Sequence, residues 1–267
     1  MKISRIFLYS KLFNTLFRLS FIADIQYRAN VIIKIFADMC WYSGQIAIFE
    51  VLYLHTHQIA GWSIYDARLL LGSLFLSDAI FMVIFSESME RFSEKVIRGE
   101  LDLLLVKPVN SQFLMSCQRM STAYMANIFI SLIFLVLVNI YSSLGFSIWR
   151  FLGGLTLVFF SVLITYSFRI FFAMMAIVFS RVEALNYVWY QFYRFGTRPD
   201  QIYPNALRYV FLSVLPIAFM ASVPARIFSG KGSIEYFIAG ICVPLTLLFL
   251  VSQCWNKVIK RYSSASS

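Results

Sequence analysis

Residues 87–119 read ESMERFSEKVIRGELDLLLVKPVNSQFLMSCQR, and this stretch decides how the chain is laid out. Five acids (Glu87, Glu90, Glu94, Glu100, Asp102) mix with five bases (Arg91, Lys95, Arg98, Lys107, Arg119) in a sequence that is otherwise mostly apolar. Apolar segments of membrane-crossing length flank it on both sides, so it reads as a loop between two spans. Met89, Phe92 and Val96 fall on one helical face, and Glu87–Arg91 and Glu94–Arg98 are acid-before-base pairs four residues apart, the stabilising order. Gly99 suits a helix stop, Pro108 closes the LDLLLV run, and Asn110 or Ser111 can cap the next helix. The expectation is a short amphipathic helix, a turn and re-entry. Its exposed charges and apolar stripe would form a surface gripped by another protein.

Working outward, composition sets the class. Hydrophobic residues make up 60% of the 267 and charged residues 13%, whereas a soluble domain is about one quarter charged. A span needs about 20 apolar residues, and the apolar runs are continuous, without the alternation a β-barrel requires. The chain reads as an all-α polytopic membrane protein with six transmembrane helices, over about 31–54, 67–85, 123–141, 151–179, 206–220 and 234–251. Residues 1–20 place bases among apolar residues at helical spacing, the pattern of an amphipathic helix in the membrane interface. No cleavable signal peptide is evident.

The net charge of +10 follows from where Lys and Arg gather rather than from nucleic-acid binding. The N-terminal part through Lys34, the 86–119 loop, residues 181–208 and the tail together hold eighteen; Arg68, Arg150, Arg226 and Lys231 fall on the opposite face. Bases collect on the cytoplasmic side, which puts both termini and the charged loop in the cytoplasm. Residues 181–205, rich in Tyr and Trp, read as an interfacial helix on that same side. Pro216 within the fifth span and Pro224 shortly after it imply a broken or re-entrant element, tolerated at membrane depth only against protein or water.

Ionisable residues inside spans face protein or water rather than lipid. Asp38, Asp78 and Arg169 are such residues and are candidates for a pathway or for pairing within the membrane; Lys34 and Asp38, four apart, are placed to pair. The four cysteines are scattered and read as buried, inert thiols. Catalytic signatures are missing: Gly230-Lys231 lacks the rest of a P-loop, and no metalloprotease or hydrolase motif occurs. His55 and His57 have only Glu50 and Asp66 nearby in sequence, which is no metal site. The chain is expected not to be an enzyme.

Ile97-Arg98-Gly99-Glu100-Leu101-Asp102, followed by Leu104-Leu105-Val106-Lys107-Pro108-Val109-Asn110, resembles the GELDxLLxKPxN signature of ABC-2 type permeases. More narrowly, it is similar to the ABC-2-like subfamily of about this length found in bacterial gene clusters. Arg198-Pro199-Asp200-Gln201-Ile202-Tyr203-Pro204, with Pro216 and Pro224-Ala225 beyond, resembles that subfamily's "RxPxxIYP … P … PA" stretch, the arginine here standing directly before the first proline.

The resemblance implies an ABC-2 (type V exporter-like) permease fold, with an N-terminal interface helix, a cytoplasmic coupling helix and an outer re-entrant element near Pro216–Ser229. It assigns Glu94, Arg98, Gly99, Glu100, Asp102, Lys107 and Pro108 to docking on an ATPase. It implies two ABC ATPase subunits, which would bind ATP and Mg, and a second permease subunit, identical or related. The chain itself would hold no cofactor and no metal. The location implied is the bacterial cytoplasmic (inner) membrane, and the function is ATP-driven export by alternating access. The alternative is an ATP-independent secondary transporter or channel that uses Asp38, Asp78 and Arg169.

Overall fold

The computed structural model describes residues 2–142, 145–179 and 183–261; Arg181 and the tail beyond Arg261 lie outside them. The described residues are almost wholly helical. In chain order the helices are α1 (Lys2–Gln26), α2 (Arg28–Leu54), α3 (Ile64–Phe81), α4 (Glu87–Glu90), α5 (Phe92–Ile97), α6 (Leu101–Leu105), α7 (Ser111–Cys117), α8 (Met125–Ile140), α9 (Ile148–Phe179), α10 (Glu183–Gly196), α11 (Asn205–Ser213), α12 (Ser222–Phe228) and α13 (Ile234–Arg261). A π-wound turn, Met82–Ser86, joins α3 to α4. Among the described residues, six helical stretches are long and apolar enough to cross a membrane: Ile6–Gln26, Arg28–Leu54, Ile64–Val96, Thr122–Ile140, Ile148–Met175 and Ile234–Lys260.

Local chemistry explains the turns. Ala60 and Gly61 both take positive φ (52° and 80°) in the reversal between α2 and α3, and the Tyr53 hydroxyl donates to the Trp62 carbonyl at 2.9 Å. Ser63 then starts α3 with a full capping box: its Oγ accepts from Asp66 N, and the Asp66 carboxylate accepts from Ser63 N at 2.7 Å.

The centre of the bundle is α3, buried nearly all round between α8, α9 and α12. Close approach depends on small residues. A Cβ on Gly72 would come within 2.8 Å of Leu135 on α8, and one on Gly240 of α13 within 2.8 Å of Leu157 on α9. At Gly154 the Phe228 ring of α12 would be 2.4 Å away.

The ends of the bundle are chemically distinct. At one end, here the loop face, lies the 87–119 segment with both described chain ends: Tyr9 Oη accepts from Asn110 N at 3.0 Å, and Trp255 Nε1 donates to Ser111 Oγ at 3.1 Å. At the far face lie the α2–α3 turn, α12 and the start of α13.

Three sequence expectations are corrected here. Residues 206–220 do not form one spanning helix; Pro216 breaks them into α11, a bend and a 3₁₀ turn, Ile217–Met220. Residues 198–208 sit on the far face, not the loop face: Trp62 Nε1 donates to Gln201 Oε1 at 2.6 Å, and Asp200 pairs with Arg226. What carries the chain between faces there is α10, 14 residues long and so about 21 Å. An aromatic helix with one face on a polar cavity has the same periodicity as one lying in an interface, which is why the pattern misled. Moving Arg198 and Arg208 to the far face still leaves the excess of bases on the loop face. Finally, only Cys117 is buried; Cys40, Cys242 and Cys254 are exposed on outer helix surfaces. Burial pushes the Cys117 thiol up to about 12, so it stays protonated and inert at neutral pH.

Gly154→Ala is expected to push Phe228 from its buried seat and lower stability by about 1–3 kcal/mol, read as a reduced unfolding midpoint in detergent. An unchanged midpoint would show that α9 and α12 can separate without cost.

Candidate functional site

The 87–119 segment is built around Glu87. Its carboxylate is reached by Lys34 of α2 at 3.0 Å, Arg91 at 2.8 Å and Arg119 at 3.6 Å. Ser88 Oγ donates to the Arg119 carbonyl and accepts from its amide, and Lys95 Nζ donates to Gln118 Oε1 at 2.5 Å. The expected Lys34–Asp38 pair does not form; Lys34 takes Glu87, and Asp38 Oδ2 accepts from Asn127 Nδ2 at 2.5 Å.

Gly99 ends α5 at φ +70°, with Gly99 N on the Val96 carbonyl and Glu100 N on the Lys95 carbonyl. That double bond is a Schellman motif, which needs a left-handed residue at this position. Asn110 caps α7 by accepting from Phe113 N at 3.0 Å.

The apolar stripe is not free for a partner. Met89, Phe92 and Val96, with Leu101 and Leu104, pack against Tyr166, Ile170 and Trp255 of the bundle. Among the described side chains of the segment, the large apolar ones left exposed are Leu103 and Val106, 69% and 84% exposed. They stand beside exposed Lys107 and Pro108 and share the segment with the solvent-facing Glu94–Arg98 pair at 3.8 Å. Such an exposed pair contributes only about 0.3–0.5 kcal/mol, so it is available for exchange with a partner.

The second feature is a cavity of about 1160 Å³ between α2, α3, α9 and α10. It brings together Asp38, Asp78 and Arg169, which come from three separate helices. Arg169 is buried and lies 5.9 Å from the Trp189 ring centre. The cavity runs from Ser86 and Glu90 at the loop face to Thr197–Arg198 and Ile202–Tyr203 at the far face. Along α2 its lining extends from Ala37 to Leu52, about 22 Å of helix rise.

A family profile described as "ABC-2 family transporter protein" matches residues 39–266. The chain belongs to the ABC-2 transporter family. It is therefore the membrane permease component of an ABC transporter, the family's counterpart to the ATPase. Comparison with curated proteins and with solved structures gave no match.

On the far face the permease carries a polar knot. Both Asp200 carboxylate oxygens accept from Arg226 Nη2, at 2.6 and 2.7 Å, and Oδ2 also accepts from Arg208 Nε at 2.9 Å. The Arg226 guanidinium lies 4.8 Å from the Tyr236 ring centre and 5.9 Å from that of Trp62. Ser222 Oγ accepts from Asp200 N at 3.2 Å. The knot links the segment after α10 to α11, α12, α13 and the α2–α3 turn, and so closes the far end of the bundle above the cavity. Pro216 and Pro224 lie in the same buried region.

Sequence reasoning quoted Asp200 within a motif and counted Arg226 as an outer-face base, but did not join them. The available signal was that Asp200 is the one acid between Glu183 and Glu235, amid Arg194, Arg198, Arg208 and Arg226. Of the acids near His55 and His57, Glu50 is held by Arg68 (2.7 and 2.9 Å) and Asp66 by Lys231 (2.6 Å). Among the described residues no three of His, Cys, Asp and Glu gather as a metal set.

Asp200→Asn leaves Arg226 buried without its carboxylate, and breaking a buried pair this way costs about 3–5 kcal/mol. The expected outcome is earlier thermal unfolding and faster protease cleavage within 197–231. Wild-type resistance in this variant would show that the knot does not hold the far face.

Proposed function

We propose that this permease works in an ATP-driven exporter. Two separate ATPase subunits bind ATP and Mg, and two permease subunits, identical or related, form the path. The observation that carries the reading is the outward pair Leu103 and Val106, presented by a segment whose stripe of Met89, Phe92, Val96, Leu101 and Leu104 is committed to the bundle. An apolar pair rimmed by Lys107, Glu94, Arg98, Glu100 and Asp102 suits a protein partner, in which an apolar centre excludes water and a charged rim sets register.

The excess of Lys and Arg supports placing the loop face, and with it both termini, in the bacterial cytoplasm. Helix α1 then lies along the inner membrane surface. Tyr9 meets Asn110 and Asp24 meets Thr122, although they are about 22 Å apart along α1. A helix crossing the bilayer would not keep both in touch with one short segment at the loop face.

Closure of the ATPase dimer pushes on α5 and α6 around Gly99. The push passes through Phe92, against Trp255 at 5.9 Å, to α13, and through Glu87 and Lys34 to α2. Alternating access follows if those helices move the cavity walls. The broken element around Pro216 and Pro224 would serve as the outer gate.

The cavity shared by Asp38, Asp78 and Arg169 favours a second reading, an ATP-independent secondary transporter or channel. Flux through the chain reconstituted alone in liposomes would select it.

Leu103→Asp combined with Val106→Asp is expected to abolish co-purification of the ATPase, while the permease stays monodisperse because neither residue is buried. Glu100→Arg is expected to leave the complex assembled but to uncouple ATP hydrolysis from export. Normal ATPase binding and export by the double variant would overturn the docking assignment.

A further inference from the structure

The cavity is uneven in charge. From mid-height to the loop face it carries three carboxylates, Asp38, Asp78 and Glu90, and one guanidinium, Arg169. Arg169 interacts electrostatically with both Glu90 and Asp78, so its charge is shared between two acids. Lys34, one turn from Asp38, makes its ion pair with Glu87 and does not line the cavity, though its charge also reaches Asp38 and Glu90. The remaining arginines of the lining, Arg194 and Arg198, are exposed and lie toward the far rim. The formal charge around Asp38 and Asp78 is therefore negative.

The walls beside these acids are aromatic: Trp41, Trp189, Tyr190 and Tyr193. The buried Tyr193 hydroxyl faces Asp78 across the cavity lining. Aromatic faces and carboxylates together recognise cations whose charge is spread over an organic body. A volume of about 1160 Å³ is far larger than a metal ion needs, and pockets of this size bury ligands of several rings.

We propose that the cavity binds an amphiphilic organic cation, with its charged centre against Asp38 and Asp78 and its apolar body against the wall formed by Trp41, Tyr190 and Tyr193. This rests on the permease reading and names the class of cargo for the same path. Arg194 and Arg198 disfavour a cation at the far rim, so the occupant settles at the acidic end. Release toward the far face then requires the walls to move apart.

The test compares two ions of one size and shape, tetraphenylphosphonium and tetraphenylborate, by calorimetric titration of the full chain in maltoside micelles with an empty-micelle blank. The phosphonium is expected to bind at least about tenfold more tightly than the borate, since like charges meeting in a desolvated site are strongly disfavoured. Asp38→Asn with Asp78→Asn is expected to erase that preference, and Trp41→Ala to weaken both ions alike. Equal affinity, a preference for the borate, or no binding of either ion would overturn the inference, as would an unchanged preference in the double Asn variant. ATPase co-purification is measured on the same preparation without either ion. A permease that holds its ATPase but shows no cation preference refutes the cargo class alone; one that prefers the cation but holds no ATPase refutes the exporter reading alone.

Discussion

The Glu87 carboxylate is the interaction on which the loop-face end depends. One acid faces three bases that come from residues 34, 91 and 119, segments far apart in the chain. Its side chain is only 14% exposed, so the attraction is less screened than at an open surface. The geometric effect matters more than the energy. Helix α2 buries only Tyr42 and Phe49, too few to fix its rotation by packing, and the Lys34–Glu87 contact sets where its loop-face end sits. The same carboxylate orients α4, and through it the turn at Gly99 that presents Leu103 and Val106.

The far face has a matching device of the same sign, again one acid among bases. There one buried acid, Asp200, gathers Arg208 and Arg226, and the Arg226 guanidinium is held between aromatic rings. A buried ion pair is often no more stabilising than an apolar replacement, but it is unforgiving about geometry. That suits a place where short helices broken by prolines must return to one arrangement. Between the two knots the core is held by shape instead, with Gly72, Gly154 and Gly240 admitting neighbouring side chains at close approach. In a membrane, where apolar surface gains little by leaving lipid for protein, such close fit is the main force between helices.

Much of this was legible in the sequence because the relevant signals are local. The Gly99 stop, the Asn110 cap and the Glu87–Arg91 pair depend on spacings of a few residues, and each forms as read. What failed were judgments about which surface a face meets. The Met89–Phe92–Val96 stripe is amphipathic, but periodicity does not say whether its apolar side meets the bundle or a partner; Trp255, more than 150 residues later, decides it. The Lys34–Asp38 spacing allows a pair, yet Glu87 and Asn127 out-compete it from other helices. The Asp200–Arg226 contact spans 26 residues with no helical register linking them. Asp38, Asp78 and Arg169 were singled out by their cost at membrane depth. That cost names residues that need company; it does not say that all three share one cavity.

The walls of that cavity are held unequally. On the α3 and α9 side they belong to the densely packed centre, where Gly154 and Gly240 close α9 onto α12 and α13. On the α10 side Trp189 is buried against Phe168 and Phe172, while Tyr187 and Val188 are exposed. On the α2 side most side chains are exposed, and the helix is fixed by polar contacts near mid-height and at its ends: Lys34 to Glu87, Asp38 to Asn127, and Glu50 to Arg68. Polar contacts can exchange partners without leaving a void, whereas a tightly packed glycine contact cannot open without one. The α2 wall is therefore the side of the cavity that can shift at least cost in packing. Its loop-face anchor is the carboxylate that also holds the 87–119 segment, so a displacement of that segment reaches the cavity through one ion pair.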